Sequence, residues 1–447
     1  MNDTITAIAT AYGVGSIAII RLSGENALHI AKTLTKRETL VPRHAHLTSL
    51  YDADNELIDE SITIYFQGPN SFSGEDVVEF QCHGGAVVAQ EILQATLDAG
   101  ARLAEPGEFS KRAFMNGRID LTEAEAIAQL IEAKSADAAK ILAKQMKGSL
   151  RHYVEEVRDQ LLHALAYSEV TIDYAEEDLP LDLIEQIQAR LSTISKNLQR
   201  TLQASESRQG LMQGFKVSLI GKPNVGKSSL LNSLLNYNRA IVSDIAGTTR
   251  DTIEEQVKIG SHLIRIVDTA GIREAGDEIE RIGIERSIEA VEESDIVIAI
   301  FDGSRVLDEE DRKIIDLMKE HKDEKAFVCA VNKQDLGQQF DRTAIASFSP
   351  MGISAKEDAA TLIETLKAIM DRQNVSDEIM LISSRQIDAV KNTLTEINEA
   401  IGPLGDQDLE IFSFHMNRAI RAMASITRPF DNEEMLDKMF GSFCLGK

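Results

Sequence analysis

An eight-residue phosphate-binding motif near the middle of the chain constrains the fold more than any other segment. Residues 221–228 read Gly-Lys-Pro-Asn-Val-Gly-Lys-Ser, the pattern GxxxxGK[ST], and the apolar run Phe215–Ile220 leads directly into it. A buried strand, a glycine-rich turn and a helix that starts near Lys227 together present backbone N–H groups to an anion. In such a loop Lys227 reaches the β- and γ-phosphates of a nucleotide, and the Ser228 hydroxyl coordinates Mg2+. The motif therefore predicts a nucleotide-binding α/β domain, with a plain glycine-rich turn as the alternative interpretation.

The overall composition indicates a soluble globular protein of several domains. At 447 residues the chain exceeds what one hydrophobic core holds, so two to four domains are expected. No apolar run approaches the ~18 residues of a membrane span, and the acidic start predicts no signal or transit peptide. Three cysteines, Cys82, Cys329 and Cys444, are typical of reduced thiols and a cytoplasmic location. With a formal net charge of −25, an RNA substrate would need a local basic patch or a partner protein.

The first part of the chain has the texture of a mixed α+β domain. Residues 1–116 contain short β-rich runs and one amphipathic helical run. The runs predicted as strands are 4–10, 16–22, 57–66 and 76–81, and the predicted helix covers 25–35.

The remaining sequence predicts an α/β domain inserted between two helical segments. Residues 117–212 are helical, opening with a capping box of Thr122 as N-cap and Glu125 at the third helical position. Breaks are expected near Gly148 and residues 179–180. Residues 213–372 alternate strand and helix, which predicts a doubly wound, mostly parallel sheet. Helical texture returns over 373–447, so the flanking segments are expected to form one helical domain.

Two elements after the phosphate loop are suited to the metal and the γ-phosphate. Asp268-Thr269-Ala270-Gly271 ends an apolar strand, where the carboxylate can hold a water of Mg2+ and the Gly271 N–H can meet the γ-phosphate. Gly247-Thr248-Thr249-Arg250-Asp251 lies where a switch segment belongs, and Thr249 is the predicted hydroxyl ligand of Mg2+.

Two later elements are suited to guanine. Asn332-Lys333-Gln334-Asp335 follows a predicted strand, and the Asp335 carboxylate can accept hydrogen bonds from N1–H and the exocyclic amine of guanine. Ser354-Ala355-Lys356 fits the backbone contact to the guanine O6. Either element alone could be a solvated loop, but the ordered set predicts GTP binding and hydrolysis.

The residue after the Asp-Thr-Ala-Gly element departs from the Ras pattern. Ras-type enzymes place a water-orienting glutamine there, whereas this chain has Ile272, which cannot position a nucleophile. Another group must orient the water, and the acidic stretch that follows is the nearest source. Its members are Glu274, Asp277, Glu278 and Glu280, among which spacing alone does not choose.

Motifs along the whole chain resemble the MnmE (TrmE) family of tRNA modification GTPases. Within the nucleotide-binding segment these are GKPNVGKS, DIAGTTRD, DTAGIRE and DEIERIGIERS. Outside it, residues 71–76 (SFSGED), 81–85 (QCHGG), 106–114 (PGEFSKRAF) and the terminal Phe443-Cys444-Leu445-Gly446-Lys447 resemble family signatures. The resemblance implies a folate-binding N-terminal domain that dimerises (1–116), a helical domain made from both flanks (117–212 and 373–447) and an inserted GTPase domain (213–372).

The resemblance also implies site residues. Potassium is expected to lie against the phosphates, held by Asn224, Ser243, Ile245 and Thr248, and Glu280 becomes the favoured residue for orienting water. The full set expected to contact GTP is Asn224, Val225, Gly226, Lys227, Ser228, Ser229, Ser243, Asp244, Ile245, Ala246, Gly247, Thr248, Thr249, Asp268, Thr269, Ala270, Gly271, Asn332, Lys333, Asp335, Ser354, Ala355 and Lys356.

A folate pocket and a terminal cysteine complete the implied sites. The resemblance assigns 5-formyl- or 5,10-methylene-tetrahydrofolate to Arg21, Glu79, Arg118 and Lys447, where cations suit the glutamate tail and a carboxylate suits the pterin edge. Cys444 is either a chemical group beside the folate or a structural thiol.

The resemblance also implies an activity that requires a second protein. By resemblance, a homodimeric, K+-activated GTPase acts with the flavoprotein MnmG (GidA), which carries FAD, to modify C5 of the wobble uridine of certain tRNAs. The added group is carboxymethylaminomethyl or aminomethyl, and GTP turnover drives conformational change. The alternative is a GTP-switched factor of ribosome or RNA assembly, although no KH-type loop or basic tail appears in the sequence.

Overall fold

The computed structural model describes residues 3–173, 183–207, 209–237, 255–266, 282–354, 360–373, 379–428, 433–443 and 446. The chain divides into two compact units. The first comprises Met1–Ile131, Lys144–Ser195 and Asp388–Lys447, and the second comprises Glu132–Ala143 and Lys196–Ile387. Among the described helices, none combines the length and apolar character that crossing a membrane requires.

The first unit begins with a six-stranded, mostly antiparallel sheet that packs two helices on one face. Its elements are β1 (Ile5–Ile8), β2 (Ile17–Ser23), α1 (Ala27–Thr35), β3 (Ala45–Tyr51), β4 (Leu57–Phe66), β5 (Val77–His83), α2 (Ala86–Asp98), β6 (Arg102–Leu103) and α3 (Glu108–Met115). The strand order is β3-β4-β5-β2-β1-β6. Ile20 and Phe80 on the inner face meet Ile30 of α1 and Ile92 of α2 in one buried cluster. Alternation along β2 and β5 therefore buries one face of the sheet.

The other face of this sheet carries a cross-strand row of three apolar residues and one glutamine, called the apolar row below. Strand register aligns Leu47 of β3 with Ile62 of β4, then Gln81 of β5 and Ile19 of β2. Leu47 and Ile62 are 60% and 41% exposed in the single chain. The next register row contains Glu79 beside Arg21.

A fully buried arginine ties the first unit together. The Arg112 side chain on α3 is 1% exposed and forms ion pairs with Asp3 (2.7 Å), Glu75 (3.2 Å) and Glu108 (3.0 Å). Burial by itself would raise the pKa of the Glu108 carboxyl, but hydrogen bonds from Arg102, the Glu105 N–H and Arg112 lower it below its ordinary 4.5. Because Glu75 belongs to the loop between β4 and β5, Arg112 fixes that loop to the chain start and to α3.

Replacing Arg112 by methionine is expected to destabilise the protein by about 3–5 kcal/mol, because it removes a buried countercharge that Glu75 and Glu108 share. Chemical denaturation followed by circular dichroism measures the change. The control is Arg151→Met, since the Arg151 and Glu155 side chains are 49% and 59% exposed and such a pair contributes up to about 1 kcal/mol. Equal effects of the two substitutions would contradict the assigned role of Arg112.

Helices follow the sheet, and their first cap differs from the sequence prediction. They are α4 (Leu121–Glu132), α5 (Ala136–Met146), α6 (Ser149–Asp173), α7 (Leu183–Ser207) and α8 (Gln209–Gln213). The prediction of Thr122 as N-cap with Glu125 is wrong: Asp120 accepts from the Glu123 N–H (2.9 Å), and the Glu123 carboxylate accepts from the Asp120 N–H (2.9 Å). The sequence contains two overlapping capping-box patterns, Asp120-x-x-Glu123 and Thr122-x-x-Glu125. The helix uses the earlier one because aspartate is the stronger N-cap. The break at Gly148 is confirmed, whereas residues 179–180 lie outside the described ranges.

The second unit contains the doubly wound sheet that the sequence predicts. Its elements are β7 (Phe215–Ile220), α9 (Lys227–Tyr237), β8 (Glu255–Ile259), β9 (His262–Ile266), α10 (Ile282–Glu293), β10 (Ile296–Asp302), α11 (Glu309–Glu320), β11 (Ala326–Asn332), β12 (Met351–Gly352) and α12 (Ala360–Gln373). The order is β12-β11-β10-β7-β9-β8, and among these described strands only the β8–β9 pair is antiparallel. Along β10, Ile298 and Val297 enter clusters on opposite faces, so the strand is buried on both sides.

Helix α5 packs with the second unit through polar contacts. Ser261 donates to the Asp137 carboxylate at 2.6 Å, and Ser135 donates to the Leu211 carbonyl at 3.2 Å. Buried His262 hydrogen-bonds Asp371 of α12 at 2.7 Å. The segment Glu132–Ala143 therefore belongs to this unit although its sequence continues the helical region.

The final helices return to the first unit. They are α13 (Ser384–Gly405), α14 (Leu409–Ala424) and α15 (Glu433–Phe440). Helix α14 packs on α6, and α15 packs on α3. Gly446 then lies against β1: its φ is +86° and an added Cβ would lie 2.5 Å from the Ile8 carbonyl oxygen, so only glycine fits.

Candidate functional site

The phosphate loop joins the carboxyl end of β7 to the start of α9. Strand β7 lies between β10 and β9 and is parallel to both. The loop therefore lies at the carboxyl ends of the strands, where such folds bind ligands. Gly226 has φ +104°, and an added Cβ would lie 2.2 Å from the Asn332 Nδ2 atom. A side chain at this position would therefore displace Asn332, which explains the second glycine of the motif.

The Lys227 side chain hydrogen-bonds the backbone of this loop. Its ammonium donates to the carbonyl oxygens of Gly221 and Lys222, at 3.1 Å for the latter. Ser228 follows in the first turn of α9, so the cation and the hydroxyl assigned to phosphate and Mg2+ lie at adjacent positions.

The Asn332–Asp335 element lies directly beside the phosphate loop. The buried Asn332 amide donates to the Val225 carbonyl at 2.8 Å. Lys333 adopts φ +61° and its ammonium reaches Asp302 at 2.7 Å. Burial raises the pKa of the Asp302 carboxyl, but hydrogen bonds from Lys333 and Ser304 lower it below its ordinary value. Asp302 is therefore ionised at neutral pH and neutralises the positive charge of Lys333.

The Ser354 segment reaches the same edge of the sheet. Ile353 donates to the Val331 carbonyl at 2.9 Å, and the Gln334 N–H donates to the Ile353 carbonyl at 3.4 Å. Asp335 is exposed in the short turn Gln334–Leu336. The described parts of the phosphate and guanine elements are thus brought together.

A second candidate site lies on the first unit. Arg21 and Glu79 pair across β2 and β5, with Nε and Oε1 2.9 Å apart, and their side chains are 17% and 15% exposed. The Arg21 guanidinium lies 5.1 Å from the Phe72 ring centroid and 5.7 Å from that of Phe109. Its Nη1 donates to the Gly446 carbonyl at 3.4 Å. A partly accessible cation and carboxylate thus lie between two aromatic rings and the terminal segment.

Arg118 contacts the same region from the turn that follows α3. Its Nε donates to the Ser71 carbonyl at 3.0 Å, and Asn116 donates to the Ser73 carbonyl at 2.8 Å. Both contacts hold the loop that carries Phe72. Among the predicted folate residues, Arg21 and Glu79 are in direct contact, and Arg118 meets the adjoining loop.

Some predicted site residues lie outside the described ranges. These are Ser243, Asp244, Ile245, Ala246, Gly247, Thr248, Thr249, Asp268, Thr269, Ala270, Gly271, Glu280, Ala355, Lys356, Cys444 and Lys447.

The two described cysteines are free and buried. Burial raises the pKa of the Cys82 thiol to about 11 and that of Cys329 to about 12, so both stay protonated at neutral pH. Within the described part of the chain, no group of three or more His, Cys, Asp or Glu side chains is arranged to hold a metal.

Sequence reasoning missed several residues around these sites. Lys222 of the phosphate loop pairs with Asp308 and Asp311, and Phe72 and Phe109 flank Arg21. The aspartate pair carried a signal, because Asp308 and Asp311 have the spacing of a capping box. No pattern in the sequence pointed to Lys222 as its partner.

Comparisons with known proteins agree along the whole chain. The family model of the GTP-binding protein TrmE N-terminus matches residues 4–118, and that of the MnmE helical domain matches 121–444. The chain is 67% identical to a tRNA modification GTPase MnmE of Sulfurimonas denitrificans over 446 residues, covering 100% of both. It is 60% identical to the corresponding protein of Sulfurovum sp., covering 100% of this chain and 99% of the relative. The FeoB G-domain of Methanococcus jannaschii matches 36% of this chain and 97% of its own at 24% identity, with a TM-score of 0.23.

Proposed function

Since the chain belongs to the MnmE family of tRNA modification GTPases, we propose that it is a K+-activated, homodimeric GTPase that acts with MnmG on the wobble uridine of certain tRNAs. As a member of that family it is a GTP hydrolase involved in tRNA modification. The observation that supports nucleotide binding best is the hydrogen bond from Asn332 to the Val225 carbonyl, because it joins the predicted phosphate and guanine elements.

In the proposed GTP site each group has one task. Lys227 neutralises the β- and γ-phosphates, and Asp335 selects guanine. The Ser228 hydroxyl and Thr249 are the proposed ligands of Mg2+, whose oxygen-donor preference suits them. Mg2+ supplies positive charge at the phosphates when bound. Glu280 orients the attacking water, since Ile272 cannot.

In the proposed folate site the donor set fits the ligand. Arg21 offers a cation to the glutamate tail, Glu79 offers acceptors to the aminopyrimidine edge, and Phe72 offers a flat apolar surface. Arg118 and Lys447 would add positive charge. 5-Formyl- or 5,10-methylene-tetrahydrofolate supplies the one-carbon unit when bound, and Cys444 stays a proposal for a nearby chemical group.

Replacing Arg21 by methionine or Glu79 by glutamine is expected to weaken folate binding about tenfold or more, because a charge-assisted hydrogen bond contributes about 1.5–3 kcal/mol. Titration of 5-formyl-tetrahydrofolate measures it, and affinity for GDP should not change. Arg151→Met is the control, since Arg151 is an exposed cation on α6 of the same unit. An unchanged folate titration for both variants would remove this pocket assignment.

The proposal of a homodimer draws support from the apolar row on the N-terminal sheet. Leu47, Ile62 and Ile19 line up on the face opposite α1 and α2, next to the Arg21–Glu79 row. Pairing this face with a second copy would remove apolar surface from water.

Contact with tRNA is assigned mainly to the partner protein. The net charge is −25, and on α14 the Arg418 guanidinium pairs with Glu396 at 2.8 Å, which offsets its positive charge, while His415 hydrogen-bonds the same carboxylate. The proposed partner MnmG also carries the FAD, and a cytoplasmic location is part of the same proposal.

Mass spectrometry of wobble nucleosides tests the function. Cells that lack this protein should lose the C5-aminomethyl or carboxymethylaminomethyl uridines, and expression of the wild-type chain should restore them, whereas Lys227→Ala should not. The GTP-switched assembly factor predicts unchanged nucleosides together with altered ribosomal subunit profiles, an outcome that would overturn the proposal.

A further inference from the structure

The phosphate loop is bound by its second residue to a helix that carries no nucleotide motif. The Lys222 ammonium lies 2.5 Å from the Asp308 Oδ2 and 2.7 Å from the Asp311 Oδ2. The Lys222 and Asp311 side chains are 12% and 4% exposed, so this contact is largely shielded from solvent. Burial would lower the pKa of the Lys222 ammonium, but hydrogen bonds to Asp308 and Asp311 raise it. Lys222 therefore stays positively charged at neutral pH.

The two carboxylates also cap α11, but the cap does not require Lys222. The Asp308 Oδ1 accepts from the Glu310 and Asp311 N–H groups, each at 3.1 Å, and the Asp311 Oδ2 accepts from the Asp308 N–H at 3.2 Å. Such a reciprocal box is sufficient to begin a helix. The ion pair with Lys222 is thus an additional contact that joins the helix start to the phosphate loop.

The same segment is bound at its other end to the guanine element. Asp302 receives the Lys333 ammonium at 2.7 Å, the Gly303 N–H donates to the Asn332 carbonyl at 2.8 Å, and the Gln339 N–H donates to the Gly303 carbonyl at 2.9 Å. Residues 302–311, called the brace below, therefore contact the phosphate loop at one end and the Asn332–Asp335 element at the other.

The phosphate loop also contacts the guanine element directly. Asn332 donates to the Val225 carbonyl at 2.8 Å, and the Lys227 ammonium donates to the Lys222 carbonyl at 3.1 Å. Lys222 therefore contacts the brace through its side chain and Lys227 through its backbone carbonyl. A shift of Lys222 would move a hydrogen-bond acceptor of Lys227.

We propose that Lys222 and Asp311 are positioning residues for the nucleotide phosphates, acting through the brace rather than by touching the nucleotide. This inference rests on the proposed GTP binding and deepens it. Positioning of the loop lowers the cost of ordering it when the phosphates bind, so loss of the pair should appear as faster nucleotide release. Because the contact between Asp302 and Lys333 at the other end of the brace is retained when the Lys222–Asp311 pair is lost, the preference for guanine should remain.

The release rate of a fluorescent GDP from the full-length protein tests this inference. Lys222→Met is expected to speed release about tenfold, Asp311→Asn to act similarly, and Lys222→Arg to restore most of the wild-type rate. The preference for GDP over IDP should be unchanged in all three. The matched control is Lys319→Met on the same helix, whose pair with Asp316 at 3.3 Å is exposed and should leave release unaltered.

A double variant separates positioning from stability. Lys222→Met combined with Asp311→Asn removes both charges of the buried pair and leaves only the Asp308 carboxylate, which is 56% exposed and therefore solvated. If the pair positions the loop, release stays fast in the double variant while its melting temperature returns toward wild type. Recovery of the slow rate, or wild-type release in the single variants, would overturn the inference. Failure of the wild-type protein to bind GDP would instead overturn the proposed function.

Discussion

Replacing Asp335 by asparagine is expected to lower the affinity for GTP about a hundredfold and to make XTP the preferred nucleotide. The carboxylate is exposed in the turn Gln334–Leu336, where its two oxygens can accept from N1–H and the exocyclic amine of guanine. Asparagine keeps one acceptor but faces the guanine amine with a donor, so about 3 kcal/mol of charge-assisted hydrogen bonding is lost. Xanthine has a carbonyl in place of that amine and accepts from the new amide.

Competition titrations with GDP, IDP and XDP measure this change in preference. The matched control is Asp341→Asn, because Asp341 lies in the next loop and caps the 3-10 helix Arg342–Phe348, a role that asparagine also fills. An Asp335→Asn protein that still prefers guanine would show that Asp335 does not contact the base. General unfolding is distinguished by a loss of affinity for every nucleotide.

The sequence predicted the second unit closely because its strands are buried on both faces. Such strands are continuous apolar runs bounded by polar motifs, so the run Phe215–Ile220 was recognisable in the sequence and coincides with β7. The phosphate and guanine motifs stand at the ends of those runs. Both motifs lie on the same side of the sheet because parallel strands have their carboxyl ends on that side.

The N-terminal sheet was less predictable. Strand β3 has Ala45 and Leu47 on the open face and Thr48 on the buried face, which reverses the usual apolar-inside pattern. Helix α2 was missed because it begins at the backbone of Gly85 with no side-chain cap.

The polar contacts between distant segments could not be predicted from one sequence. Arg112 meets Asp3 and Glu75, and Lys222 meets Asp311, across separations of 109, 37 and 89 residues. Any exposed charge offers the same local signal, and only the folded chain shows which pairs are buried. Sequence reasoning therefore predicted the motifs that we propose bind the nucleotide, but not the residues that hold those motifs in place.

Hydrolysis of GTP is expected to be at least about tenfold faster in K+ than in Na+ at equal ionic strength. The proposed ligand Asn224 lies in the phosphate loop with φ +64°, exposed beside the anion site, so its amide oxygen is available to a cation near the phosphates. A bound cation there would stabilise the charge that develops in the transition state, as an arginine finger does elsewhere. Steady-state phosphate release in the two salts measures the ratio.

Asn224→Gly isolates the side chain from the backbone in this prediction. Glycine adopts φ +64° without steric cost, so the loop keeps its shape while the amide oxygen is lost. The variant should hydrolyse GTP slowly in both salts, with affinity for GDP near that of the wild type. Asn224→Asp, which keeps an oxygen at the same place, should retain a preference for K+. If the wild type and the glycine variant showed the same ratio of rates in the two salts, Asn224 would not be a potassium ligand, and positive charge at the phosphates would have to come from Lys227 and Mg2+ alone.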